Sequence, residues 1–154
     1  MLIRKMERRD YGAYCTLLRE VHDMHAEGRP DIFKKEIALP EEDEFAEMIA
    51  DEETVNLAAD EGGEMIGMCL MEIRRPKNPI QHRKAFGWIG DLCVRSDCRG
   101  KGTGLALYSA MKDRARDMGL ARIELMVWSF NEDAIRFYRR LGMGVRSYTM
   151  EERL

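Results

Sequence analysis

DLCVRSDCRGKGTGLAL, residues Asp91 to Leu107, is the stretch on which the reading of this chain turns. A short apolar run, Leu92-Cys93-Val94, enters a turn, and three glycines follow at alternate positions, Gly100, Gly102 and Gly104. Helical apolar spacing begins at once. A strand, a glycine loop and a helix in that order form a ready anion site. The first helical N–H groups have no partner within the helix and carry the positive end of its dipole. Glycine lets the backbone approach a phosphate without a Cβ in the way. Arg99 and Lys101 add positive charge to the same loop.

Spacing separates the kinds of phosphate loop. The P-loop string G-x-x-x-x-G-K-[ST] does not occur. The dinucleotide pattern G-x-G-x-x-G fails at Leu105 when begun at Gly100, and at Leu107 when begun at Gly102. What fits is R-x-x-G-x-G, as Arg99, Gly102 and Gly104. A glycine-rich turn ahead of a surface helix is the other reading of the same residues.

With 154 residues the chain is expected to form one domain, 1–154, large enough for a real core. Apolar residues at 45% and charged residues at 34% are those of a globular protein without a membrane span. No run of 18 apolar residues occurs, and MLIRKMERRD is too charged for a signal peptide. The cysteines, Cys15, Cys69, Cys93 and Cys98, contain no Cys-x-x-Cys pair. Free thiols in a reducing cytoplasm are expected. The net charge of −3 hides an asymmetry. Residues 36–73 hold 13 Asp or Glu and no Lys or Arg, whereas the glycine loop is basic. A polyanionic ligand suits the loop; nucleic acid and membrane are not expected partners.

Along the chain, Leu2 to Met6 reads as a strand. Asp10 is placed to cap a helix striped by Tyr14, Leu17, Leu18, Val21 and Met24, ending at Gly28 and Pro30. Asp31 is placed to cap a short helical piece, IFKKEIA, and Pro40 to begin a helix with Phe45, Met48 and Ile49 inward. Thr54–Asp60 and Met65–Arg74 read as a hairpin about Glu61-Gly62-Gly63-Glu64. Pro76, Asn78 and Pro79 mark a loop, and Ala85–Val94 a third strand of the series. Leu105, Tyr108, Met111, Ala115 and Met118 stripe the next helix, with Gly119 after it. Ala121–Trp128 alternates as a strand. Asn131 caps a last helix with Ala134, Phe137, Tyr138 and Leu141 inward, and residues 143–152 have room for one or two closing strands. This order predicts a mixed α/β sheet.

The loop Arg99–Gly104 resembles the acyl-CoA loop of the GNAT superfamily of N-acetyltransferases, Q/R-x-x-G-x-G/A. A second stretch, WSFNEDAIRFYRRLGM from Trp128 to Met143, is similar to the superfamily signature N-x-x-A-x-x-F-Y-x-x-x-G-F. Asn131, Ala134, Phe137, Tyr138 and Gly142 fall at its spacing, and Met143 stands for the commoner Phe. The resemblance covers nearly the whole chain and is best supported over residues 85–143. It implies a GNAT-like α/β fold: a largely antiparallel mixed central sheet flanked by helices, with two strands splayed at the cofactor site. It also implies acetyl-CoA as cosubstrate, held by the backbone of Leu92, Cys93 and Val94 and by the loop Arg99, Gly100, Lys101, Gly102, Thr103 and Gly104, with Asn131 beside it. Tyr138 becomes the candidate general acid, against a plain reading as a core aromatic.

Asp91, just before the cofactor strand residues, is the candidate base, or equally a structural acid. Gly90 removes the second acid that many relatives carry. Glu72 and Glu124 are weaker candidates that alternate outward on strands. His22 and His25 lie one helical turn apart without a third ligand at known spacing, so no metal is expected. His25, Arg29 and Phe33 are the candidate acceptor pocket. The implied function is transfer of acetyl from acetyl-CoA to a primary amine, on a small molecule or a protein, by direct attack in a ternary complex, by an enzyme with the possibility of a homodimer. A non-catalytic acyl-CoA sensor and a nucleotide-binding module are the rivals. The acidic first half suits an acceptor that is cationic before reaction.

Overall fold

A computed structural model describes residues 1–78, 80 and 84–154. Five strands form one sheet in sequence order: β1 (Leu2–Lys5), β2 (Thr54–Glu61), β3 (Glu64–Arg74), β4 (Phe86–Val94) and β5 (Ile123–Leu125). Pairing is antiparallel from β1 to β4, and β5 joins β4 in parallel. The α-helices among the described residues are α1 (Tyr11–Gly28), α2 (Glu42–Ala50), α3 (Thr103–Asp117) and α4 (Glu132–Arg140). Pro79 of the expected loop lies outside the described residues.

The sheet is covered on both faces, which is why β2 is buried from Val55 to Asp60. On one face Leu17, Tyr14 and Phe45 of α1 and α2 pack on Ala58, Met68 and Cys93. On the other, Leu107, Tyr108 and Met111 of α3 pack on Leu57, Cys69, Met71 and Ile89, with Phe137, Tyr138 and Leu141 joining them. The hairpin turn has Gly62 and Gly63 at φ +67° and +93°, the pair of left-handed residues that a two-residue hairpin needs. A register shift brings β3 and β4 together at Leu70/Met71, with Asp91 opposite Leu70 and Ile89 opposite Met71. Gly90 is the extra residue, so the β4 strand bulges just before Asp91.

Several expectations are corrected. Asp10 stands at the N-cap of α1 as expected, but its carboxylate makes no capping bond to the helix: it is buried in a fork with Arg4, at 2.7 and 2.9 Å. Residues 32–38 are turn and loop, because Phe33 turns into an aromatic contact instead of continuing a helical stripe. The second helix begins at Glu42 rather than Pro40, boxed by Glu41 and Glu44. In α3, Leu105 and Met118 are exposed, and the buried stripe is Thr103, Leu107, Tyr108, Met111 and Ala115. The fifth strand is three residues long rather than eight, because β4 leaves it after Ile89. Residues 143–154, expected to hold one or two closing strands, form none. Glu124 does not point outward to solvent: it is buried between Arg122 and Arg146.

Candidate active site

The β4–β5 ladder joins Gly87 to Ile123, Trp88 to Glu124 and Ile89 to Leu125, and then stops. β4 runs on to Val94, so the side of Gly90–Val94 away from β3 has no strand partner and faces the gap. Leu92 and Val94 pack toward α3. Cys93 faces α1, and burial drives its thiol pKa up, so it is a core thiol and no nucleophile.

Past Val94 the chain makes one 3₁₀ turn, Ser96–Cys98, and enters the glycine loop. Gly100 and Gly102 have φ of +79° and +84°, a region that side chains with a Cβ adopt at a cost of about 1–2 kcal/mol. A Cβ on either would meet nothing within 4 Å, so open space borders the loop on that side. No side chain caps α3 at Gly102, and the first-turn N–H groups point out of the helix end. These features fit a pyrophosphate-bearing ligand such as coenzyme A. Arg99 is partly committed elsewhere: its Nε donates to the Val94 carbonyl at 2.9 Å, tying the loop back onto β4. Gly104, already helical, lies against Phe137 of α4, with 3.5 Å between that ring and an ideal Cβ.

Asn131 is the N-cap of α4: its Oδ1 accepts from the Ala134 N–H at 3.1 Å. Its Nδ2 reaches the Met24 sulfur of α1 at 3.5 Å, so it also ties α4 to α1. Seven residues on, the partly buried Tyr138 packs against Phe137 and Tyr108, with ring centroids 5.2 and 6.4 Å away. Burial raises its pKa above the ordinary phenol value, and the charges of Cys69, Tyr108 and Asp91 raise it further.

Asp91 lies on the face of β4 that carries Cys93, toward Tyr14. Burial alone raises its pKa, with no offsetting hydrogen bond. Tyr14 is pushed up to about 12 by its own burial and by the Asp91 charge, and its hydroxyl lies 3.6 Å from the Met48 sulfur. A carboxylate raised in this way is better matched to proton abstraction near neutral pH than an ordinary one.

His25, Arg29 and Phe33 come together at the end of α1, and two residues that sequence reasoning did not single out join them. His25 stacks on Phe33 at 5.1 Å, Trp128 meets the Phe33 edge at 5.4 Å, and Phe130 stacks on Trp128 at 6.3 Å. Arg29 lies over Trp128 at 5.6 Å, held by Asp31 and Glu151. Burial and then the neighbouring His22 lower the His25 pKa, favouring the neutral ring. His22 is engaged elsewhere, with Nε2 at 2.8 Å from the Lys34 carbonyl oxygen. Of the weaker base candidates, Glu72 pairs with Arg74 and Glu124 with two arginines. Glu20 is a further residue the sequence did not signal: from α1 it reaches Ser96 and Arg99, ahead of the glycine loop. No local pattern announces it, because its partners are 76 and 79 residues away.

Comparison with known proteins agrees with this geometry. The chain is 27% identical to the L-amino acid N-acetyltransferase AaaT of Escherichia coli over 150 residues, 94% of this chain and 83% of that protein. It is 32% identical over 93 residues to the L-methionine sulfoximine/L-methionine sulfone acetyltransferase of Pseudomonas aeruginosa, 58% of this chain and 49% of that enzyme. The match thus spans about half the length of the Pseudomonas enzyme. The crystal structure of a mutant BH1408 protein from Bacillus halodurans superposes with a TM-score of 0.93 at 29% identity, covering 100% of this chain and 99% of that one. The sequence model of the Acetyltransferase (GNAT) family matches residues 18–143, from within α1 to just past α4. The splayed β4 edge, the glycine loop and the capped α4 all lie inside that span, and the chain belongs to the acetyltransferase (GNAT) family.

Proposed function

We propose that the chain is a single-domain N-acetyltransferase over residues 1–154, transferring acetyl from acetyl-CoA to a primary amine by direct attack in a ternary complex. One observation carries the reading: β4 loses its β5 partner after Ile89 and feeds directly into the left-handed glycine loop of an uncapped α3. Acetyl-CoA supplies an activated thioester acyl group. The open backbone of Leu92, Cys93 and Val94 offers hydrogen-bonding groups for the amides of its arm. Main-chain N–H groups of Arg99 to Gly104, with the positive end of α3, hold the pyrophosphate, and Lys101 adds charge. Asn131 borders the arm while it caps α4.

Asp91 takes the proton from the incoming ammonium, directly or through water, and Tyr138 protonates the departing thiolate. The Tyr138 hydroxyl at this spacing also favours an enzyme over a sensor, since a sensor has no use for an acid there. The wall of His25, Phe33, Trp128 and Arg29 receives the acceptor. The amino-acid substrates in the names of the relatives favour a small amine of amino-acid type. Three buried free thiols suit a reducing compartment, and we place the enzyme in the cytoplasm.

The test combines ligand-induced thermal shift with an amine panel read by thiol release. Acetyl-CoA at a hundredfold excess over Kd stabilises the fold by about 2.7 kcal/mol. NAD and ATP give no comparable shift, and amino acids lead the panel in releasing free thiol. Absence of a shift with saturating acetyl-CoA rejects the reading.

A further inference from the structure

The backbone of Arg29 is fixed on both sides. Its N–H donates to the His25 carbonyl at 2.9 Å, and its own carbonyl accepts from the N–H groups of Ile32 and Phe33 at 3.0 and 2.9 Å. The guanidinium lies over Trp128, 5.6 Å from the ring centre, and the side chain is only 19% exposed. Trp128 belongs to the turn that leads into α4, since its carbonyl accepts from the Asn131 N–H at 2.9 Å. The cation is therefore anchored on the segment that leaves the β4–β5 ladder for the capped helix.

Two carboxylates share this guanidinium, and they are not equivalent. Asp31 takes its side, with Nε and Nη2 donating at 2.9 and 2.8 Å. The bond from Arg29 holds the Asp31 carboxyl down at about 2, so it stays charged and in place. Glu151 takes the end, with Nη1 and Nη2 each 2.9 Å from one of its two oxygens. That end-on fork is the geometry by which arginine recognises a carboxylate. Glu151 is 58% exposed and arrives from 122 positions away. Among the described residues its segment makes no backbone–backbone hydrogen bond beyond Met143. Side chains hold it instead: Arg146 on Glu124, Glu151 on Arg29 and Arg153 on Asp31. Exposed ion pairs of this kind are weak. Asp31 is thus a resident partner of the guanidinium, and Glu151 a replaceable one.

We propose that the end of the Arg29 guanidinium is the subsite for a carboxylate carried by the acceptor amine, and that Glu151 occupies this subsite until the acceptor displaces it. The inference rests on the reading of His25, Phe33 and Trp128 as the acceptor wall. Phe33 and Trp128, with ring centroids 5.4 Å apart, give the rest of such a molecule an apolar surface beside the fork. Asp31 offsets the guanidinium charge, so the ammonium group of the same acceptor is not driven off. A carboxylate on the same chain competes at a high effective concentration. Glu151 therefore sets a threshold on the acceptor and none on acetyl-CoA.

The experiment titrates two probes into the whole chain by calorimetry with coenzyme A present. One is L-methionine, whose flexible thioether suits an aromatic wall. The other is methylthiopropylamine, the same amine without the carboxylate. Wild type is expected to bind L-methionine the more tightly. Glu151→Ala, a change on an exposed segment, is expected to tighten L-methionine about two- to fivefold, the equivalent of one exposed ion pair. The affinity for methylthiopropylamine should not change. Arg29→Met is expected to abolish the preference, and Arg29→Lys to restore only part of it, because an ammonium is a point charge without a fork. Circular dichroism checks that both variants fold. Three outcomes overturn the proposal: no preference in wild type, an L-methionine affinity indifferent to Glu151→Ala, or a folded Arg29→Met that keeps the preference. The titration needs no transfer. A wild type that shows the preference and releases no thiol with any amine rejects the transferase reading and keeps the subsite; one that acetylates amines without the preference does the reverse.

Discussion

Glu20 of α1 holds the entrance of the glycine loop, accepting from the Ser96 N–H at 3.1 Å and approaching Arg99 Nη2 at 3.4 Å. Arg99 in turn donates to the Val94 carbonyl, so helix, loop and the end of β4 are joined through one carboxylate and one guanidinium. Both side chains reach solvent, at 27% and 61%, so the link positions the loop more than it stabilises the fold. Glu20→Ala is expected to raise the KM for acetyl-CoA about two- to fivefold, the equivalent of one ordinary hydrogen bond. The acceptor KM and the melting temperature should hardly change. A matched rise in both KM values would instead point to a general loosening.

Asp91 gives a pH signature. Its folded pKa lies above the unfolded value because burial disfavours the charge. Between the two values the folded state binds the extra proton, so stability is full below the unfolded pKa and falls as pH rises through the folded one. Asp91→Asn is expected to remove that fall. The variant should melt above wild type at neutral pH, the difference closing in acid, while acetyl transfer drops. A variant that melts lower at neutral pH would show that the charged form is held by partners.

Tyr138→Phe keeps the ring between Phe137 and Tyr108 and removes only the hydroxyl. Positioned acid catalysis contributes about 10²–10⁴-fold. A thiol of pKa about 8.5 is already a fair leaving group, so the loss in kcat is expected near 10². Acetyl-CoA affinity and melting temperature should be retained. An unchanged kcat, with chemistry shown to be rate-limiting, would leave Tyr138 as packing and water as the acid.

Gly28 sits beneath Phe130, where an added Cβ would come within 2.3 Å of the ring. Gly28→Ala must therefore displace Phe130, and with it the stack on Trp128. The acceptor KM is expected to rise while the acetyl-CoA thermal shift stays as in wild type. The helix itself gains from alanine, by up to about 1 kcal/mol, so a loss of activity would not be a loss of helix. Unaltered acceptor kinetics would place the acceptor away from this wall.

What the sequence determined by itself is local. The hairpin at Gly62-Gly63, the left-handed loop at Gly100 and Gly102, and the Asn131 cap each depend on residues a few positions apart. Their backbone angles and near hydrogen bonds are set before the chain meets itself. The family spacing around Arg99 and Tyr138 was legible for the same reason. Tertiary structure decided where β4 leaves β5, because a strand persists only while a neighbouring edge accepts its hydrogen bonds. That rule ended β5 at Leu125, against an alternation running to Trp128. It also decided the site's long-range partners. Glu20 meets Arg99, and Phe33 meets Trp128, only once α1 has packed on the sheet. No periodicity in either segment encodes a contact whose two halves lie 79 or more residues apart.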